Sequence, residues 1–183
     1  MSETPAYKSV VIKLDVSEAS QQALNDLKHA LGLPPRQSGF HITVGLPHKV
    51  PEALVDQVGA SLVMELNTLI QSRNLSMKLT EVEIFGPVLA FMPGEALSET
   101  VKGLNQTLYQ LSEARWGGQG VHFNKHTTPP INPHLTFTWD QMDAPRREAM
   151  NAKIREHFQQ VHGGPLLVTL DHGSYRVLPL VNE

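Results

Sequence analysis

Two short stretches decide the reading of this chain: His41-Ile42-Thr43-Val44 and His134-Leu135-Thr136-Phe137. Each has the form His, apolar, Thr, apolar. In a β-strand successive side chains point to opposite faces, so residues two apart share a face. In residues 40–46 (FHITVGL) this alternation predicts that Phe40, Ile42, Val44 and Leu46 point into a core, while His41 and Thr43 point away from it. In residues 134–139 (HLTFTW) it predicts Leu135, Phe137 and Trp139 inward, and His134, Thr136 and Thr138 outward. Each stretch therefore offers one imidazole beside one hydroxyl on a rigid strand.

Working outward, each marked strand sits in the same order of elements. Residues 10–14 (VVIKL) read as a strand. Ser17 is an N-cap for a helix whose apolar positions run from Ala19 to Leu31, and Gly32 and Pro34 end it. After the first marked strand, Pro51 opens a helix reaching Ile70, and a strand follows over about residues 77–85. The second half repeats this order. It has a strand at 88–92, a helix at 97–111, the second marked strand, a helix at 146–158 capped by Asp143, and closing strands at 166–170 and 175–181. The prediction is one α+β domain over residues 1–183, duplicated into two lobes, roughly 1–86 and 87–183. The halves differ most in the Gly- and Pro-rich stretch 116–132, a long loop of the kind that often carries function.

Composition narrows the options. Apolar residues make up 40% of the 183 and charged residues 18%, enough apolar surface for a real core. The net charge of −3 carries no basic excess, which argues against a duplex-DNA-binding surface and leaves room only for a local basic pocket. The absence of cysteine removes disulfides, thiolate nucleophiles and cysteine-ligated zinc. No apolar h-region opens the sequence, and its apolar stretches read as too short for a membrane span, so a soluble, cytoplasmic chain is expected.

Two imidazoles and two hydroxyls brought together suit phosphodiester cleavage without a metal or cofactor. One His takes a proton from the attacking oxygen and the other protonates the leaving oxygen. With an unperturbed pKa near 6.5, one neutral and one protonated imidazole can coexist. The Thr hydroxyls can donate to the non-bridging oxygens, where negative charge gathers. Such a pair predicts a bell-shaped pH profile with both limbs near histidine values.

The paired motifs resemble the signature of the 2H phosphoesterase superfamily, and the resemblance extends over the repeated elements from Val10 to Leu180. It implies two antiparallel sheets flanked by helices around a central cleft lined by His41, Thr43, His134 and Thr136. It also implies a small nucleotide or RNA-end substrate: a 2′,3′-cyclic phosphate, a 2′-5′ linkage or a cyclic nucleotide. Ligase-like members often carry Arg in a His-x-Thr-x-x-Arg pattern, where this chain has Trp139. Tyr175, in the segment resembling the family's last strand, is a candidate for stacking on a base, and Lys125 in the long loop is a candidate for reaching a phosphate. A monomer without a membrane partner is expected. The rival readings are a non-catalytic nucleotide-binding module, an RNA 2′-5′ ligase-like activity, and a metal-dependent hydrolase built on His122 and His126. Gly, Thr and Pro around those two histidines disfavour the helix that their spacing would need.

Overall fold

The computed structural model describes residues 6–45, 47–123, 129 and 131–180. The α+β expectation holds. Four helices flank a curled antiparallel sheet: α1 (Glu18–Ala30), α2 (Val55–Ile70), α3 (Glu95–Trp116) and α4 (Ala144–His162). The strands are β1 (Tyr7–Val16), β2 (His41–Gly45), β3 (Pro47–Pro51), β4 (Leu75–Leu79), β5 (Glu83–Phe85), β6 (Val88–Phe91), β7 (His122–Phe123), β8 (Leu135–Thr138) and β9 (Leu166–Pro179). Their main order is β4-β9-β1-β2-β8-β6-β5, with β3 bridging β1 to the short β7.

Local chemistry sets the boundaries. The Ser17 hydroxyl accepts from Ser20 N at 3.3 Å and opens α1. Asp143 does the same for α4, accepting from Arg146 N at 3.0 Å, and Gly163 closes that helix at φ +72°, a conformation in which only glycine is unstrained. Between Pro47 and Leu54 the structure differs from the expected helix start at Pro51. Residues 47–51 form β3 and a single 3₁₀ turn precedes α2. Proline at both ends of β3 suits its place outside the main ladder.

The strands pair across the expected 86/87 lobe boundary. β5 turns back at Gly86 onto β6, so the one strand expected over 77–85 is two. The two expected closing strands form one long β9, which pairs with β4 by its first half and with β1 by its second. The two expected sheets meet edge to edge at a single bridging pair, Ile42↔Leu135, and so form one curled surface.

Beneath that seam lies the core. Phe40, Ile42, Val44, Leu135 and Phe137 are all fully buried, as the alternation requires. Phe40 stacks on Phe137 with centroids 6.4 Å apart, and Phe91 meets Phe137 edge-on at 5.3 Å. Trp139 departs from the expected pattern: it is 72% exposed, while Thr138, expected outward, is buried. Strand β8 ends at Thr138, so the two-residue period no longer governs the next side chain.

Residues 52–70 are long and apolar enough, by length and composition, to cross a membrane, contrary to the expectation that no stretch comes near that size. In the fold this segment is a core helix. Val58, Leu62 and Leu66 are buried, and Gly59 lets α2 approach so closely that a Cβ there would lie 2.4 Å from the Tyr175 ring.

On the other flank, buried Asn151 of α4 clamps the link between β4 and β5. Its Oδ1 accepts from Val82 N at 2.8 Å and its Nδ2 donates to Val82 O at 3.0 Å. Replacing Asn151 by Leu strands both backbone groups in the interior. Urea unfolding is expected to report a loss on the order of 3 kcal/mol, and a loss below about 0.5 kcal/mol would show that water replaces the clamp.

Candidate active site

The seam between the halves positions the marked residues. Carrying the antiparallel register one residue either way from Ile42↔Leu135 sets His41 across from Thr136 and Thr43 across from His134. Facing side chains in such a pair have Cβ atoms about 5 Å apart, and diagonal ones about 7–8 Å apart. The two imidazoles occupy a diagonal, a spacing that can hold a phosphate group between them. Each Thr stands opposite the histidine of the other half.

His134 is held from two sides. Its Nδ1 lies 2.9 Å from the Asn132 carbonyl oxygen, so that nitrogen serves as a donor and Nε2 is left for a ligand. Its ring stacks on Phe85 of β5, with centroids 3.9 Å apart and planes 24° off parallel. His41, the first residue of β2, is half-buried, and its buried Nδ1 has no hydrogen-bond partner of good geometry among the described residues.

Register also reveals side chains on the histidine face that the motif reading missed. On β1, Lys13 pairs with Thr43 and Asp15 with His41. On β9, Ser174 pairs with Lys13, His172 with Asp15 and Arg176 with Val11. Asp15 collects three of these: Ser174 Oγ donates to it at 2.5 Å, and Lys13 Nζ and His172 Nε2 lie 3.7 and 3.4 Å away. From the loop before β2, Arg36 reaches back to the seam. Its Nε donates to Gly39 O at 2.9 Å and its Nη1 to Thr136 O at 3.1 Å.

These cations explain the electrostatics of His41. Burial first, then the positive charges of Lys13 and Arg36, and more weakly Arg176, lower its pKa to about 3, while the Gly39 backbone works the other way. His41 is therefore held neutral first by burial and then by a cationic field that an anion would offset. The limb set by His41 is thus expected below the ordinary histidine range.

The other sequence candidates fall elsewhere. Tyr175 pairs with Ile12 on the opposite, helix-packed face of the sheet, where its hydroxyl donates to Asp56 Oδ1 at 3.0 Å. It lines a groove of about 930 Å³ alongside Met64 and Asn67 of α2, away from the histidines, so the expected stacking of Tyr175 in the cleft is corrected. Its neighbours Ser174 and Arg176 face the site, as does His172. Lys125 and His126 lie outside the described residues, and His122 stands exposed on β7. No group of three potential metal ligands occurs among the described residues.

Solved structures resemble this chain, among them the following. The chain is similar to Escherichia coli LigT, solved in complex with 3′-AMP, at 15% identity over 75% of this chain and 76% of that one, with a TM-score of 0.47. No protein-family model matches the sequence, and no curated protein matches it by sequence.

Proposed function

We propose that the chain is a metal-independent phosphodiesterase of the two-histidine type, acting on a 2′,3′-cyclic phosphate, a 2′-5′ linkage or a cyclic nucleotide. The observation that supports the reading is the seam pair Ile42↔Leu135, whose register, carried to its neighbours, gives two imidazoles and two threonine hydroxyls a common face, with Lys13, Arg36 and Arg176 close enough to His41 to act on its charge. A phosphate between the rings would meet cations on the His41 side and hydroxyl donors from both strands.

The lowered pKa of His41 supports giving it the base's role. Kept neutral, it is the base: its Nε2 takes the proton of an attacking water as the water oxygen bonds to phosphorus. The bond from phosphorus to the ribose 3′-oxygen breaks, and protonated His134 delivers its Nε2 proton to that oxygen, leaving a 2′-phosphate. Each ring then carries the other's starting protonation state, and proton exchange with water resets the pair. The Thr43 and Thr136 hydroxyls donate to the non-bridging oxygens as charge builds on them.

The test is a screen of 2′,3′-cyclic mononucleotides, 2′-5′ oligoadenylate and cyclic di- and trinucleotides, with the His41→Ala/His134→Ala double variant as control. Turnover of at least one class is expected, absent in the control. Added EDTA is expected to leave the rate within about twofold, because no step draws on a metal ion. Abolition of activity by EDTA, restored by a divalent cation, would replace this mechanism with a metal-dependent one.

A further inference from the structure

Past the second motif the surface opens into a cleft of about 250 Å³ lined by Lys28, Pro34, Pro35, Arg36, Thr138 and Trp139. Three features set it apart. First, Trp139 is 72% exposed, whereas the chain's other tryptophan, Trp116, is buried. A tryptophan left in water beside a proline pair is an open stacking surface. Second, two cations border it with no carboxylate partner among the described residues. Lys28 is almost fully buried, with its Nζ donating to Phe137 O at 3.0 Å. Arg36 is half-buried and spends its Nε and Nη1 on backbone carbonyls, which leaves Nη2. The Lys28 ammonium is compensated by one carbonyl and by the faces of Phe40 and Phe137, 5.9 and 5.5 Å from their centroids, with no anion beside it among the described residues, so an added anion would stabilise it further. Third, the cleft adjoins the candidate active site. Arg36 lines the cleft, donates to the Thr136 carbonyl and contributes to the field at His41. Trp139 lies three residues beyond Thr136, at most about 11 Å of chain, a span that suits one nucleotide.

We propose that this cleft is a flanking-nucleotide subsite: a base stacks on Trp139, and the phosphate joining it to the reacting nucleotide sits between Arg36 and Lys28. The natural substrate class is then an oligonucleotide end of at least two nucleotides, not a lone cyclic mononucleotide. The inference rests on the proposed phosphodiesterase reading and sharpens it.

Two measurements test it. The first is the ratio of kcat/KM for a diadenylate ending in a 2′,3′-cyclic phosphate to that for adenosine 2′,3′-cyclic phosphate. Stacking contributes about 1–3 kcal/mol per base, so Trp139→Ala is expected to lower the ratio by roughly 5- to 150-fold, and Trp139→Phe to keep most of it. An unchanged ratio in Trp139→Ala, or equal loss in both variants, would overturn the subsite. The second is a fluorescence titration of the His41→Ala/His134→Ala variant. The diadenylate is expected to quench the exposed tryptophan at lower concentration than the mononucleotide does, with the quench gone in an added Trp139→Phe. If wild type turns over neither nucleotide, the phosphodiesterase reading fails while the titration still decides the cleft. If turnover is found but the diadenylate gives no quench, the cleft fails and the catalytic reading stands.

Discussion

Replacing His41 or His134 by alanine is expected to lower kcat on the preferred cyclic phosphate by about 10²- to 10⁴-fold each, the usual contribution of a positioned acid or base. The two losses should not multiply. Base and acid act on one phosphorus centre in one displacement, and groups that work as a unit give grossly non-additive losses. The double variant is therefore expected to fall little below the worse single one. Folding is a separate matter, which thermal unfolding can check. His41 Nδ1 has no hydrogen-bond partner of good geometry among the described residues, so its loss removes little from the native state. His134 loses its stacking on Phe85 and its contact with the Asn132 carbonyl, a larger but local change. Wild-type kcat in either single variant, with the fold intact, would end the two-histidine assignment.

The second large effect is on pH dependence. A base must be neutral to act, and kcat/KM reports the free enzyme. An unshifted imidazole would cut kcat/KM tenfold per pH unit below about 6.5. With His41 lowered to about 3, by burial first and then by Lys13 and Arg36, the acid limb is expected near pH 3, and kcat/KM should hold level on that side from pH 6 to pH 4. In the complex a phosphate anion offsets the cations around His41, so the limb of kcat itself should lie at higher pH than that of kcat/KM. Arg36→Gln removes part of the field and should move the kcat/KM limb upward. The sign for stability follows from the same shift: the unfolded chain binds a proton at this ring more readily than the folded one. The contribution is intact above about pH 6.5 and is lost as pH falls toward 3. A kcat/KM limb between pH 6 and 7 would show that the free enzyme does not hold His41 neutral.

Much of this site was legible because strand parity is a strong constraint. His41 with Thr43, and His134 with Thr136, could be set on one face from spacing alone, and the burial of Ile42, Val44, Leu135 and Phe137 agrees. The same rule could have found Lys13 and Asp15, two charges at matching parity in the otherwise apolar run VVIKLDV. It also contains the error at Tyr175. An aromatic drew attention, but alternation gives the histidine face to Ser174 and Arg176. Arg36 was not readable, because it reaches the seam from a loop, and loop geometry follows no period. Trp139 failed for the opposite reason: the period was carried one residue past the end of β8. The pairing of β9 with both β1 and β4 is a long-range choice that no local pattern specifies.

The two motif strands, β2 and β8, meet through one bridging residue pair, and side chains fasten the edges on either side of it. Arg36 takes the Thr136 carbonyl, Lys28 takes that of Phe137, and Asn105 of α3 donates to that of Val44 at 2.6 Å. A wide ladder would lock the gap between the imidazoles by main-chain geometry, which sequence drift can barely alter. Here the gap is set by a few removable fasteners. Its width is open to tuning from side chains outside the two motifs, so chains of this design could change the bond they cut while leaving both motifs untouched.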